Sequence, residues 1–367
     1  MASPEAVSER EQKVLGIIAT ARGKRAKFRD ERITMAHGAG GKATASLIEG
    51  LIVPKLAPTG EQALNELADA GRVSVNGTKL AMTTDSYVVK PLRFPGGSIG
   101  ELAVNGTAND LAVSGARPLA LSLSLILEEG LPAEILAAEI EAIATAAQNA
   151  DVEIVTGDTK VVERGHADGL YITTSGIGQL DPRAHLSPKA LRPGDKILLS
   201  GSVGDHGTAI MLARGEFELD ADIYSDTRAL WPAVDALLDA AGPDLRCMRD
   251  ATRGGAASVL NELARSAQVA IVVEEGAIPV KPAVAGACEL LGIDPMYVAN
   301  EGKFLAFVAP ESADAALAAL HNTPGCEDAA EIGEVRTEPP GMVLVNTSFG
   351  GRRVMDQLVG DPLPRIC

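Results

Sequence analysis

The run Leu119-Ala-Leu-Ser-Leu-Ser-Leu-Ile-Leu127 alternates apolar and small or polar residues with period two. Only a β-strand with one apolar face satisfies that spacing, because successive side chains point to opposite faces of a sheet. Nineteen residues then change rhythm. Pro132 to Ala150 is alanine-rich, with proline at its start and acids early, the arrangement a helix dipole favours. A strand feeding a helix sets the pattern for the chain. Lys79–Asp85, Val152–Thr156 and Leu170–Gly178 read as strands, and Ser98–Val113 has helical spacing.

Leu191-Arg-Pro-Gly-Asp195 is a turn-rich junction. A second unit follows. Its expected strands are Lys196–Ser200, Ala270–Val273, Phe304–Val308 and Met342–Val345. Its expected helices lie near Gly207–Arg214, Thr227–Ala241 and Gly255–Ala267. Strands and helices mix without a βαβ rhythm, which predicts an α+β sandwich rather than a doubly wound sheet. The expected division is an N-terminal extension over 1–31, one domain over 32–190, a second over 191–350, and a tail over 351–367. A short helix is expected at Glu9–Ala21, and the basic stretch Arg22–Arg32 reads as a solvated linker. No short repeat is present.

Composition narrows the function. Hydrophobic residues make up 46% of the chain but aromatics only 3%, so aliphatic side chains must fill the cores. The formal charge of −16 argues against nucleic acid and anionic membranes as partners. No run reaches transmembrane length, and Val14–Thr20 is too short for a secretory h-region. A cytoplasmic location with reduced thiols is the expectation. Cys247, Cys288 and Cys326 fit no zinc or CxxC spacing and read as small buried hydrophobes.

Three groups of residues carry chemistry. Ala36-His-Gly-Ala-Gly-Gly-Lys42 precedes an expected helix at Thr44–Ile52. Gly40, Gly41 and Lys42 suit an anion, or else form a turn and helix cap. A Walker A loop fails at Ala36 and Ala43, and the dinucleotide pattern GxGxxA fits 38–43 but lacks a preceding strand and a well-placed acid. Aspartates follow: Asp85, Asp110 in Asn105-Gly-Thr-Ala-Asn109-Asp110, Asp158 in Gly157-Asp-Thr-Lys160, and Asp250 in Arg249-Asp-Ala-Thr-Arg-Gly-Gly255. They read as carboxylates at the ends of apolar strands, an oxygen-only set that suits Mg²⁺. Asn300-Glu-Gly-Lys303 offers a base and a cation, or an ion pair at a turn.

The last feature is the end of the chain, Asp361-Pro-Leu-Pro-Arg-Ile-Cys367. Two prolines stiffen it, and seven extended residues reach roughly 23–25 Å. This reads as a thiol on a semi-rigid arm that enters and leaves a site.

Taken in order, these motifs resemble the HypE family, the carbamoyl dehydratases of [NiFe]-hydrogenase maturation, within the aminoimidazole-ribonucleotide (AIR)-synthetase-like superfamily. The resemblance covers about residues 32–367, and the ending Pro-Arg-Ile-Cys is its specific part. It implies a two-domain AIR-synthetase-like fold: an N-terminal domain forming a β-barrel-like homodimer through the strand at Leu119–Leu127, a C-terminal α/β sandwich, and a mobile tail. It implies ATP between the domains, with Gly40, Gly41, Lys42, Asp85, Asn109, Asp158, Thr159 and Asp250 as contacts. Asp85, Asp110, Asp158 and Asp250 would hold Mg²⁺. Cys367 would carry the substrate carboxamide, with Glu301 as base and Lys160 polarising it. The implied partners are a carbamoyltransferase of HypF type and an iron-carrying scaffold of HypC–HypD type. The alternatives are another ATP-using enzyme of the superfamily, of selenophosphate synthetase or thiamin-phosphate kinase type, or a nucleotide-gated scaffold with a docking tail.

Overall fold

The computed structural model describes residues 27–56, 68–215, 221–360 and 365–367. The helix expected at Glu9–Ala21, and Pro362 and Pro364 of the tail, lie outside them. After the glycine loop, a short helix α1 (Lys42–Leu47) continues through a wider turn at Ile48–Ile52 into α2 (Val53–Leu56). The first sheet then forms from β1 (Gly71–Val75), β2 (Thr78–Tyr87), β5 (Ala116–Glu128), β6 (Glu153–Val162) and β7 (Leu170–Leu180). A two-stranded ribbon, β3 (Arg93–Phe94) and β4 (Gly97–Ser98), stands apart. The order is β1-β2-β7-β5-β6, antiparallel except for the parallel pair β5–β6.

The alternating run forms β5. Its Leu121 and Leu125 are buried with residues of two helices, α3 (Ile99–Val113) and α4 (Ala133–Asn149). Helix α3 is buried along its length except at Glu101 and Asp110. A helix that is apolar all round belongs at the centre of a fold, packed on several sides. On one side α3 meets the sheet. On the other its Ala112 and Val113 join the core of the second half of the chain.

That second half builds a sheet from β8 (Lys196–Leu199), β9 (Leu245–Asp250), β10 (Ala270–Glu274), β11 (Phe304–Val308), β12 (Ala330–Arg336), β13 (Met342–Asn346) and β14 (Arg352–Met355), in the order β14-β13-β10-β12-β8-β11-β9. Its helices are α5 (Asp205–Ala213), α6 (Trp231–Ala241), α7 (Gly255–Ala267), α8 (Pro282–Leu291) and α9 (Ala313–His321). Alternation divides the apolar residues between two cores. Ile197, Leu199, Leu305 and Phe307 pack with α7; Leu198, Phe304, Ala306 and Val308 pack with α6 and α9. The result is the expected α+β sandwich, with helices on both faces.

Three expectations need correction. Strand β6 does not stop at Thr156 but runs to Val162, so Asp158, Thr159 and Lys160 lie inside a strand. Gly157 makes a close strand approach there rather than a turn: a Cβ on it would sit 2.3 Å from the Leu123 carbonyl oxygen. Asp110 stands on α3, inside the expected helix Ser98–Val113 and not at a strand end. Arg352–Met355, expected in the tail, pair with β13 as β14.

Helix α3 and β2 touch where Gly106 meets Tyr87. A Cβ at 106 would fall 2.3 Å from the Tyr87 hydroxyl oxygen, on a ring that is 2% exposed and cannot swing away. Gly106→Ala is therefore expected to force the helix off the strand and cost about 1–3 kcal/mol in a urea denaturation series. An unchanged midpoint would mean that this contact does not set the helix–sheet distance.

Candidate active site

The loop ahead of β1, β2, α3 and the end of β9 converge on one acidic cluster. Carboxylate oxygens of Asp69, Asp110 and Asp250 lie within 4.8 Å of one another. Asp69 precedes β1, Asp110 is the one polar break near the end of α3, and Asp250 ends β9. Thr83 of β2 fixes the first two: its hydroxyl lies 2.7 Å from Asp110 Oδ2 and 2.9 Å from the Asp69 carbonyl. Arg249 pairs with Asp69 at 3.2 Å and with Glu262 at 3.1 Å.

Packing raises every carboxyl here. Burial lifts Asp69 from its ordinary 3.8 to about 6, against the pull of Arg249. Burial and the neighbouring Asp250, Asp85 and Asp69 push Asp110 well above the carboxylate range. Asp250 is raised the same way, by burial and Asp69. Asp85 is raised by burial, while Arg253, 3.6 Å away, opposes the shift. Close, buried, oxygen-only donors with unrelieved repulsion fit a divalent cation such as Mg²⁺.

Glu301 lies beside this cluster, 4% exposed. Burial first, then Asp250, Asp85 and Asp226, push its carboxyl well above the usual range. Its Oε1 has no hydrogen-bond partner among the described residues. The surrounding loop is held at its main chain. Asp226 accepts from the N–H groups of Glu301 and Gly302 at 3.1 and 3.3 Å. A Cβ at Gly302 would fall 1.9 Å from the Asp226 carbonyl oxygen, so only glycine fits. Asn300 donates to the Ala251 and Val298 carbonyls and accepts from Gly204 N–H. Asn109 spends its carboxamide on the same frame: it donates to the Arg228 and Glu301 carbonyls and accepts from Leu230 N–H.

Arg253 links the site to the end of the chain. The negative charge of Cys367, then of Asp85 and Glu301, holds the Arg253 guanidinium charged against the opposing effect of burial. Cys367 is 8% exposed and lines a cleft of about 540 Å³ with Thr84, Asp85, Ser86 and Arg253. A second cleft of about 410 Å³ opens beside Asp69, Arg72 and Arg249, between the two halves of the chain.

Other expected site residues lie elsewhere or are engaged. Arg253 donates to the Gly38 carbonyl at 2.9 Å and so holds the glycine loop against the site. Gly40 has φ +78, and a Cβ there would meet the Arg253 carbonyl oxygen at 2.9 Å. The N–H groups of Lys42 and Ala43 donate to Leu358 and Val359, and Lys42 Nζ pairs with Asp356 at 2.8 Å. Asp158 and Lys160 pair with each other at 2.6 Å on exposed β6, with β5 and β7 between them and the strand of Asp85. Asp69 and Arg253 were not singled out from sequence. Asp69 sits in an ordinary-looking Ala-Asp-Ala-Gly turn, while Arg253 stood inside a quoted motif without a role.

Residues 67–180 match the family "AIR synthase related protein, N-terminal domain", and residues 192–345 match "AIR synthase related protein, C-terminal domain". The carbamoyl dehydratase HypE of Rhodobacter capsulatus is 49% identical over 93% of this chain and 99% of its own length. A crystal structure of a HypE–HypF complex superposes with a TM-score of 0.80 at 42% identity, covering 85% of this chain and 99% of that one. A crystal structure of hydrogenase maturation protein HypE in complex with ATP gives 0.76 at 44% identity, covering 92% and 100%.

The raised carboxyls make a stability prediction. The folded, metal-free protein holds a proton on Asp69 between its ordinary 3.8 and about 6, which the unfolded chain has released. Stability therefore falls as pH rises through that window. Mg²⁺ should raise the melting temperature more at pH 8 than at pH 5, where protons compete for the oxygens. Asp110→Asn keeps an acceptor for Thr83 and removes one charge. It should be more stable than the parent without metal at pH 8, with the Mg²⁺ response lost. A full Mg²⁺ shift in that variant would exclude Asp110 as a ligand.

Proposed function

This chain belongs to the HypE family of carbamoyl dehydratases, and from that premise we propose that it dehydrates an S-carboxamide on its own Cys367 to an S-cyanate, using ATP. The product supplies the cyanide ligands of the [NiFe]-hydrogenase iron centre. The observation that carries this reading is that Cys367, 8% exposed, lines one cleft together with Asp85 and Arg253. A scaffold with a mere docking tail gives no reason to seat its thiol among raised carboxyls. A kinase of the same fold needs no thiol there.

An amide oxygen is a poor leaving group until it is phosphorylated. Cys367–S–C(=O)–NH₂ and ATP give the S-imidoyl phosphate, ADP and one proton. A base then takes the remaining N–H proton, the C–O bond breaks towards phosphate, and Cys367–S–C≡N remains. Glu301 is the base. Its buried carboxyl has a free oxygen and a raised pKa, which brings a carboxylate closer to the working pH and strengthens it as a proton acceptor. Arg253 offers fixed positive charge where phosphoryl oxygens gain negative charge. Asp69, Asp110 and Asp250, with Asp85 nearby, would hold Mg²⁺, which neutralises phosphate charge. The buried seat of Cys367 keeps water from the imidoyl phosphate.

Asp158, Thr159 and Lys160 enter through a homodimer. The strand expected at the interface, β5, lies between β7 and β6, and the sheet edge beside it is β6, ten residues long, with Val155 60% and Val161 66% exposed. A long exposed apolar edge is one that proteins cover by pairing. A second copy on this face would carry Lys160 towards its neighbour's substrate. The family relationship supports a HypF-type carbamoyltransferase as donor and a HypC–HypD-type scaffold as acceptor, in the cytoplasm. Among the described residues no helix is long and apolar enough to cross a membrane.

Two experiments test these roles. Cys367→Ala should form no nitrile yet melt and bind ATP as the parent does. Glu301→Gln should slow nitrile formation by about 10²–10⁴-fold with ATP affinity retained. In the parent the rate should fall on the acid side of Glu301's raised pKa, because only the carboxylate accepts a proton. Normal turnover in the Gln variant would remove Glu301 from the mechanism. Separately, mixing inactive Lys160→Ala with inactive Glu301→Gln should restore activity, since one mixed-dimer site then holds both residues. No recovery in verified mixed dimers would place Lys160 outside the neighbour's site.

A further inference from the structure

Each of the last three residues is held by its main-chain carbonyl. The Arg365 carbonyl accepts from Lys90 N–H at 3.4 Å and from Arg214 Nη2 at 2.7 Å. The Ile366 carbonyl lies 2.7 Å from His206 Nε2. The Cys367 oxygen accepts from Val88 N–H at 3.2 Å. Side chains add to this. Arg365 pairs with Asp168, and Ile366, 1% exposed, joins the apolar cluster of the first half. Arg365 also has φ +61, a left-handed conformation that a non-glycine residue keeps only where its surroundings impose it.

His206 is the least expected member of this set. It is completely buried on α5, with Phe94 edge-on at 5.5 Å. A carbonyl oxygen only accepts, so Nε2 carries the hydrogen. Nδ1 then accepts from the Ser225 hydroxyl, 2.8 Å away. A neutral imidazole meets both demands, and burial, opposed by Asp226, holds its pKa below the usual 6.5. The same helix start is tied to the loop of the proposed base, through Gly204 N–H to Asn300 and Gly207 N–H to the Ala299 carbonyl. His206 thus connects the register of the tail to the position of Glu301.

We propose that His206, Arg214 and Asp168 form a cradle that reads the peptide Arg365-Ile366-Cys367, with His206 as the positioning residue that fixes where the Cys367 sulfur sits. The consequence for turnover rests on the dehydratase reading. The docking itself does not.

The test is the rate at which iodoacetamide alkylates Cys367 in the full chain, followed by mass spectrometry of the C-terminal peptide. Buried Cys247 serves as the internal control. Losing one tail contact shifts the population towards the undocked arm. His206→Phe and Arg214→Gln should each speed labelling by about tenfold, with Cys247 labelling unchanged. His206→Gln, whose amide still donates to a carbonyl, should label closer to the parent. Arg214 is half-buried, so its variant keeps the test valid if His206→Phe fails to fold. Parental labelling rates in Arg214→Gln and in every folded His206 variant would overturn the cradle. Nitrile formation on the same samples separates the two claims. Faster labelling in the variants with no nitrile in the parent supports the cradle and removes the dehydratase reading. Nitrile in the parent with unresponsive labelling does the reverse.

Discussion

Carboxylates held out of water against one another are the constraint on which the rest of this molecule depends. An ionised carboxylate buried without a partner is disfavoured by several kcal/mol, and neighbours of the same sign add to the cost. Asp69, Asp85 and Asp110 come from the first half of the chain, Asp250 and Glu301 from the second. Docking the halves therefore creates the repulsion as well as the site. The fold withstands it through apolar burial around α3, which joins the cores of both halves, and through Arg249 and Arg253 placed among the acids. On the proposed reading, what remains unbalanced favours binding of a divalent cation.

The same economy of placement governs the thiol. On the proposed reading a carboxamide is loaded by one partner, dehydrated in a dry cleft and passed to another. A group fixed in a core meets the second need alone, and a group on the surface meets the other two. The end of the chain meets all three when its docked state is held by a few hydrogen bonds, one ion pair and the burial of the single side chain of Ile366. Each such contact is worth little net free energy, so the docked and free arms lie within reach of each other.

Much of this was legible in the residues, for physical reasons. The period-two run at Leu119–Leu127 admits one structure, and it is β5. The helix from Gly255 to Ala267 was read to the residue. Failures came where local signals had two meanings. Asp158 looked like the residue after a strand that ends at Thr156, but glycine lets strands approach closely, and β6 runs straight through Gly157. Asp110 reads as one of the strand-end carboxylates although the helical spacing of Ser98–Val113 already contains it; the polar residues of that core helix hold the neighbouring loops, Asn105 reaching Thr227 and Asn109 binding the Arg228 and Glu301 carbonyls. Asp69, Arg253 and His206 acquire meaning only from long-range contacts. His206 and Ile366 are 160 positions apart, and no local pattern records such a pairing.

The most direct test of the account is the mass of the C-terminal peptide after Cys367 has been carbamoylated with cyanate and the protein then given MgATP. Loss of one water from the peptide, dependent on ATP, is the predicted result: the chain dehydrates its own terminal adduct. ATP consumed with the carboxamide intact at Cys367 would contradict it, and would mean that the acidic cluster serves a substrate other than the thiol seated beside it.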